Sequence, residues 1–223
     1  MVERTGCVRV AGLLNLRLQY KKLWANIEKV TLLSMRKMLS AFLFISLFTM
    51  SLTAHAAPLK ANTVNVRILD LELLDQDGKK GRFKSDIIGD KLVAVNFTYT
   101  TCTTICPILD AIFVDVQERL GKRLGKDIAL ITMSIDPVND IPPRLKQYQK
   151  RLGAKPGWLF LTGKKPDVDR ILKGLDVYSP DIYGHPPAIF IGDGRRGIWK
   201  RLYGFPSPEQ IMAVLKELED GRR

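Results

Sequence analysis

The sequence predicts an α/β protein: a central sheet containing parallel strand pairs, with helices on its faces and a β-hairpin ahead of it. Three observations predict this. Two short runs, LVAVNFTY (92–99) and IALITMSI (128–135), lack a polar face, as strands buried on both sides do. Such runs alternate with segments of helical period in the order hairpin, βαβαβα, hairpin, α, and strands alternating with helices require parallel crossovers. The 223 residues, 46% hydrophobic and 26% charged, have the composition of a globular protein. Disordered, collagenous and disulfide-dense classes are excluded.

The elements follow in chain order. Met35-Arg36-Lys37-Met38, the apolar run after it and Ala54-His55-Ala56 have the three parts of a secretory signal, in order. We expect 35–56 to be a signal peptide cleaved after Ala56, with a retained membrane anchor as the alternative. Residues 1–34 are expected to be an upstream extension from a misassigned start, with translation beginning at Met35. Residues 57–66 read as a flexible lead-in. In VRILDLELLDQDGKKGRF, alternation on both sides of Asp77-Gly78 marks the hairpin.

Strand 92–99 leads to a helix after Pro107, on which Ile108, Leu109, Ile112, Phe113, Val116 and Leu120 keep a helical period. Strand 128–135 is followed by helix 142–152, strand 158–161 and helix 167–175. AIFIGD (188–193) and GIWKRLYG (197–204) form a second hairpin across Gly194–Gly197. The last helix opens at Ser207-Pro208-Glu209-Gln210, where Ser and Gln three apart make a capping box with Pro at the first position. Trp158, Trp199 and Phe205 are expected to be packing residues.

The reactive inventory is small. Residues 1–56 hold Cys7, His55 and eight basic against two acidic residues, so half of the +12 charge leaves with them. Beyond them stand Cys102, Cys106 and His185. Cys102-Thr103-Thr104-Ile105-Cys106-Pro107 joins a buried strand to a helix, at the strand end where α/β folds place their sites. Proline disfavours helical geometry before it, so Cys106 is expected near the helix N-cap, where the helix dipole favours thiolate.

The pair has three intervening residues. On a regular helix, side chains four apart stand ~5–6 Å apart at Cβ, beyond the ~3.5–4.5 Å of a disulfide. Oxidation therefore needs a loop, whereas two thiolates bridged by one metal fit with less strain. A purely structural disulfide across so short a loop contributes little. A peroxidatic motif is absent, because Tyr99 stands where its proline would be. His185, in Tyr183-Gly184-His185-Pro186-Pro187 just before a strand, can reach the same sheet edge. Two thiolates and an imidazole suit Cu(I); Zn(II) lacks an evident fourth ligand.

CTTICP after one buried strand, SIDPVND after the next, WLFLTG, and His-Pro ahead of IFIGDGRRGIWKRLYGF resemble the Sco/SenC copper-chaperone family. The likeness covers about residues 64–219 and implies a three-layer thioredoxin-like domain over 67–220 with the N-terminal hairpin as an extension. It implies copper, as Cu(I) or Cu(II), held by Cys102, Cys106 and His185, and a role in assembling the binuclear copper site of cytochrome c oxidase. The implied partners are the copper-recipient oxidase subunit or another copper protein, and thiol–disulfide reductants. The expected place is the periplasm, free or anchored to the inner membrane. Members commonly flank the histidine with Asp and Ser or Thr; here Gly184 and Pro186 do so. Asp136 matches the family's Asp-Pro and is an accessory candidate for orienting the imidazole, or makes an Asx turn with Pro137. The alternative function is a metal-independent thiol–disulfide oxidoreductase using Cys102 and Cys106 as a redox-active pair, able to close a disulfide.

The remaining positive charge is dispersed in pairs such as Lys79-Lys80, Lys164-Lys165 and Arg195-Arg196, with no interleaved aromatics. Nucleic acid is therefore not an expected partner. Gly192-x-Gly194 lies in a hairpin rather than before a helix, so it is no phosphate cradle.

Overall fold

The computed structural model describes residues 61–223. The predicted leader, 1–34 with 35–56, and residues 57–60 of the lead-in lie outside the described residues. A six-stranded sheet runs β1-β8-β7-β4-β5-β6. Its strands are β1 (Asn62–Val64), β4 (Leu92–Thr98), β5 (Ile128–Ser134), β6 (Trp158–Leu161), β7 (Ala188–Asp193) and β8 (Ile198–Tyr203). β4, β5 and β6 are parallel, while β7 joins β4 antiparallel and is followed by β8 and β1. β2 (Glu72–Leu74) and β3 (Lys80–Arg82) form the separate N-terminal hairpin.

Among the described residues, four α-helices, α1 (Cys106–Leu120), α2 (Pro142–Arg151), α3 (Lys165–Gly174) and α4 (Pro208–Asp220), complete three layers. Alternation along β4 separates the two cores. Leu92 and Ala94 meet Phe113 of α1, Leu145 of α2 and Leu215 of α4, whereas Val93, Val95 and Phe97 meet α3 and the hairpin side. This α/β sandwich is the predicted class. The Ser207–Gln210 capping box forms as read, each side chain accepting from the other's backbone N–H.

Three expectations are corrected. Asn62–Val64, read as lead-in, pairs with Arg201–Trp199 and covers the edge of β8. So short and polar a strand carries no period to detect. The N-terminal hairpin keeps only three residues per strand. Asp70 is drawn out of the ladder because its carboxylate accepts from Arg82 Nε (2.9 Å) and from the N–H groups of Lys84 and Ser85. Those residues open a wide helical turn, Phe83–Ile88, that the sequence did not announce. The hairpin docks through Leu74 and Thr162, which exchange two backbone bonds at the end of β6. Phe205, finally, is exposed rather than packed, while Trp158 and Trp199 are buried. Trp199 lies across Gly192, where any β-carbon would sit 2.4 Å from its ring.

A polar chain crosses the core between sheet and helices. The Trp158 indole N–H donates to Thr132 Oγ1 (2.9 Å), which donates to Asn96 Oδ1 (2.6 Å). The Asn96 amide reaches one oxygen of Asp110 at 3.5 Å, and the Tyr148 hydroxyl donates to the other. Asp110 is 1% exposed, and burial pushes its carboxyl up from 3.8 to about 6 despite those two donors. Folding therefore favours the protonated acid. The native chain binds more protons than the unfolded chain between pH 4 and 6, so this group's contribution to stability falls as pH rises through that window. Replacing Asp110 with Asn removes the titration. Urea unfolding should show the stability of wild type relative to Asp110→Asn falling by about 2 kcal/mol from pH 4 to pH 7. A difference independent of pH would refute the assignment.

Candidate metal centre

The site forms at the sheet edge where the carboxyl ends of β4 and β5 meet the amino end of β7. That meeting follows from β7 lying antiparallel to β4. After β4, the Cys102 N–H donates to the Tyr99 carbonyl (2.9 Å), closing a turn that leaves Cys102 half-buried and outside the helix. Cys106 is the first residue of α1 and is 7% exposed. The cap residue, Ile105, has helical dihedrals and a side chain that cannot accept a hydrogen bond. The vacancy is filled by sulfur: the Cys106 N–H donates to Cys102 Sγ at 3.4 Å. The distorted turn that the three-residue spacing demands is thus present, with both cysteines as free thiols.

The two thiols are electrostatically unlike. Burial raises the cost of ionising Cys102, but the Cys106 thiol, the N–H groups of Cys106 and Thr104, and Tyr99 outweigh it, bringing the thiol down from 9.0 to about 6. Burial pushes Cys106 up, and the thiolate-prone Cys102 beside it adds to the rise. Of the two thiols, Cys102 is the one whose surroundings favour the thiolate.

His185 follows a single 3-10 turn, Ile182–Gly184, in which Asp181 accepts from the Tyr183 N–H at 3.0 Å. Its ring stands 5.5 Å from that of Phe97 at the end of β4. Burial lowers its pKa to about 4, with a Val177 backbone group opposing the shift, so the imidazole is neutral at physiological pH. Nε2 is buried and has no hydrogen-bond partner among the described residues. Cys102, Cys106 and His185 line one cleft of about 30 Å³, walled by Tyr99, Ile135 and Tyr183, with room for one ion or a water. Among the described residues, no three His, Cys, Asp or Glu side chains stand as an assembled ligand cage. The fold therefore brings the three residues to one cleft without closing it around an ion.

Asp136 does not line that cleft. Its carboxylate accepts from the Asn139 amide (2.8 Å), and its carbonyl from the Asn139 and Asp140 N–H groups, in the turn after β5. The aspartate the sequence reading missed is Asp140, which is 1% exposed. It accepts from the Thr100 N–H (3.1 Å), the Thr100 hydroxyl (2.5 Å) and the Ser134 hydroxyl (2.6 Å). This carboxylate ties the strand leading into the cysteine loop to the end of β5. The second Asp of SIDPVND was its only trace in the sequence.

Two measurements test this electrostatic picture. Alkylation of the reduced protein by iodoacetamide, read peptide by peptide in a mass spectrometer, should modify Cys102 with a half-maximal rate near pH 6 and leave Cys106 slow. Equal reactivity would contradict the asymmetry. Asp140→Ala strands the Thr100 and Ser134 donors and should lower stability by about 2 kcal/mol in urea unfolding. A loss below a few tenths would show that Asp140 anchors nothing.

The family model described as SCO1/SenC matches residues 64–219. The SCO2-like protein of Rickettsia felis is 29% identical over 157 residues, covering 66% of this chain and 74% of the relative. The crystal structure of a SCO1/SenC family lipoprotein from Bacillus anthracis superposes with a TM-score of 0.61 at 23% identity, covering 71% of this chain and 98% of that one. Bradyrhizobium japonicum ScoI with copper bound superposes with a TM-score of 0.54 at 25% identity, over 72% and 99%. The three-layer arrangement of this chain is the thioredoxin-like fold of those structures. With a matched model spanning well over half its length and a cysteine pair seated where that fold's β4 meets α1, the chain belongs to the SCO1/SenC family.

Proposed function

We propose that this protein is an exported copper chaperone that takes copper as cargo on Cys102, Cys106 and His185. It passes the ion to the recipient subunit of cytochrome c oxidase or to a similar copper protein. The observation that carries the reading is the buried, unpartnered Nε2 of a neutral imidazole lining the ion-sized cleft shared with both cysteines. An orphaned buried nitrogen is costly unless something binds it, and a neutral imidazole with two sulfurs is a soft donor set suited to Cu(I). The copper-bound relative from Bradyrhizobium japonicum and the family match support it. Loading requires the segment that bears His185 to close on the pair, since no cage stands assembled. Export would be directed by residues 35–56, which lie outside the described residues. Among the described residues, no helix is long and apolar enough to cross a membrane.

The chemistry of handover follows from the unlike thiols. Cys102 is half-buried and thiolate-prone, so it is the sulfur a partner's ligand reaches first, while Cys106 and His185 hold from inside. The same asymmetry favours a second reading: Cys102 attacks a partner disulfide and Cys106 resolves the mixed disulfide, without metal. Copper titration of the reduced protein, followed by thiolate-to-copper absorbance and a metal count, separates the two. One copper per chain is expected, lost in Cys102→Ser and Cys106→Ser and weakened at least about tenfold in His185→Ala. If His185→Ala held copper as tightly as wild type, the three-ligand site would be wrong; if reduced wild type bound no copper yet reduced disulfides, the oxidoreductase reading would replace the chaperone.

A further inference from the structure

Cys102 borders a second cavity as well. This is an open groove of about 570 Å³. Its floor is Pro107, Ala111 and Val114, successive positions of one α1 face, with Leu152 opposite at the end of α2. The Thr100–Thr103 turn forms one end. At the lip the Arg151 guanidinium rests 5.0 Å from the centre of the Tyr148 ring and makes no ion pair among the described residues. Neither Cys106 nor His185 touches this groove. The Cys102 sulfur is thus a shared wall between an ion-sized cleft and a groove of the volume that holds ligands of a few hundred daltons, or about four residues of extended chain.

We infer that this groove seats an extended segment of the partner polypeptide that carries the partner's cysteine and, a few residues along, a carboxylate. The inference rests on the reading of Cys102 as the exchanging ligand. Apolar floor positions select small or aliphatic side chains, and the Thr101 and Thr103 hydroxyls, unlike that of Thr100, are left for a peptide backbone. The free guanidinium selects an acid. The Asp110 carboxylate also borders the groove and feels the Arg151 charge, but its oxygens are taken by the Tyr148 hydroxyl and the Asn96 amide, and it forms no ion pair with Arg151. A segment lying here brings its sulfur to Cys102 through a groove that neither Cys106 nor His185 lines. Ligand exchange there leaves the inner donors undisturbed.

The test uses the reduced, copper-free protein and a fluorescein-labelled peptide, Gly-Ser-Ala-Val-Glu-Ala-Gly, in which Ser replaces the partner's Cys so that only binding is read. Two companion peptides carry Gln or Lys in place of Glu. Fluorescence anisotropy should show the Glu peptide binding at least threefold tighter than the Gln peptide, and the Lys peptide weakest. Arg151→Glu should reverse the order of the Glu and Lys peptides, and Arg151→Ala should erase it. Ala111→Trp, on an exposed position, should block all three peptides by filling the floor. Circular dichroism and copper titration of each variant should match wild type. Copper binding intact with no peptide discrimination would overturn the groove alone; copper binding absent from wild type would overturn the chaperone reading instead. Glutathione competing as strongly as the Glu peptide would give the groove to a small thiol. A dimer in sedimentation that Ala111→Trp dissociates would give it to a second copy. Either result overturns the inference.

Discussion

The structure depends on β4 being buried on both faces and hydrogen-bonded on both edges, to parallel β5 and antiparallel β7. All seven of its residues are buried, so no polar backbone on either side is left for water to satisfy. Because one neighbour runs with it and the other against it, the carboxyl ends of β4 and β5 and the amino end of β7 meet at one edge. A cysteine loop leaving β4 and a histidine entering β7 are then neighbours, although about 80 residues of chain separate them. Reversing β7 would destroy that meeting.

Electrostatics divides labour at that edge. The helix that begins at Cys106 has no side-chain oxygen to cap it, so sulfur occupies the cap position and gains the stabilisation an anion finds there. One thiol is prepared to ionise, the other is held neutral by burial, and the imidazole is kept neutral for the same reason. Such a set of donors is soft, and only its Cys102 also borders the open groove beside α1. The Asp140 carboxylate gives this loop a fixed base by tying Thr100 to Ser134. The polar chain from Trp158 to Asp110 beneath α1 is fully partnered, and it sets the register of helix on sheet.

Much of the fold was legible because its signals are local. A strand with no polar face, such as 128–134, or a Ser-Pro-Glu-Gln start, such as 207–210, carries its own reason for the shape it takes. Strand β1 was illegible for the opposite reason: Asn62–Val64 is a strand only because β8 offers an unpaired edge. The shortened hairpin and the turn at 83–88 belong together, since Asp70 spends its carboxylate on backbone donors more than a dozen residues away. Phe205 carries the apolarity of a packing residue, and nothing in its neighbours reveals that the chain leaves it at the surface.

By itself the sequence determined the layered class, the order of elements and the three residues with sulfur or imidazole to offer, because periodicity and side-chain chemistry are properties of the chain. The tertiary structure alone decided that Cys102 lies outside the helix with its sulfur as the cap, that Cys106 and His185 are neutral, and that the His185 Nε2 has no partner. It also decided that Asp140, rather than Asp136, braces the loop, and that Cys102 divides an ion-sized cleft from a peptide-sized groove. Burial and hydrogen bonding between residues distant in sequence set every one of these, and those are quantities a chain acquires only when it folds.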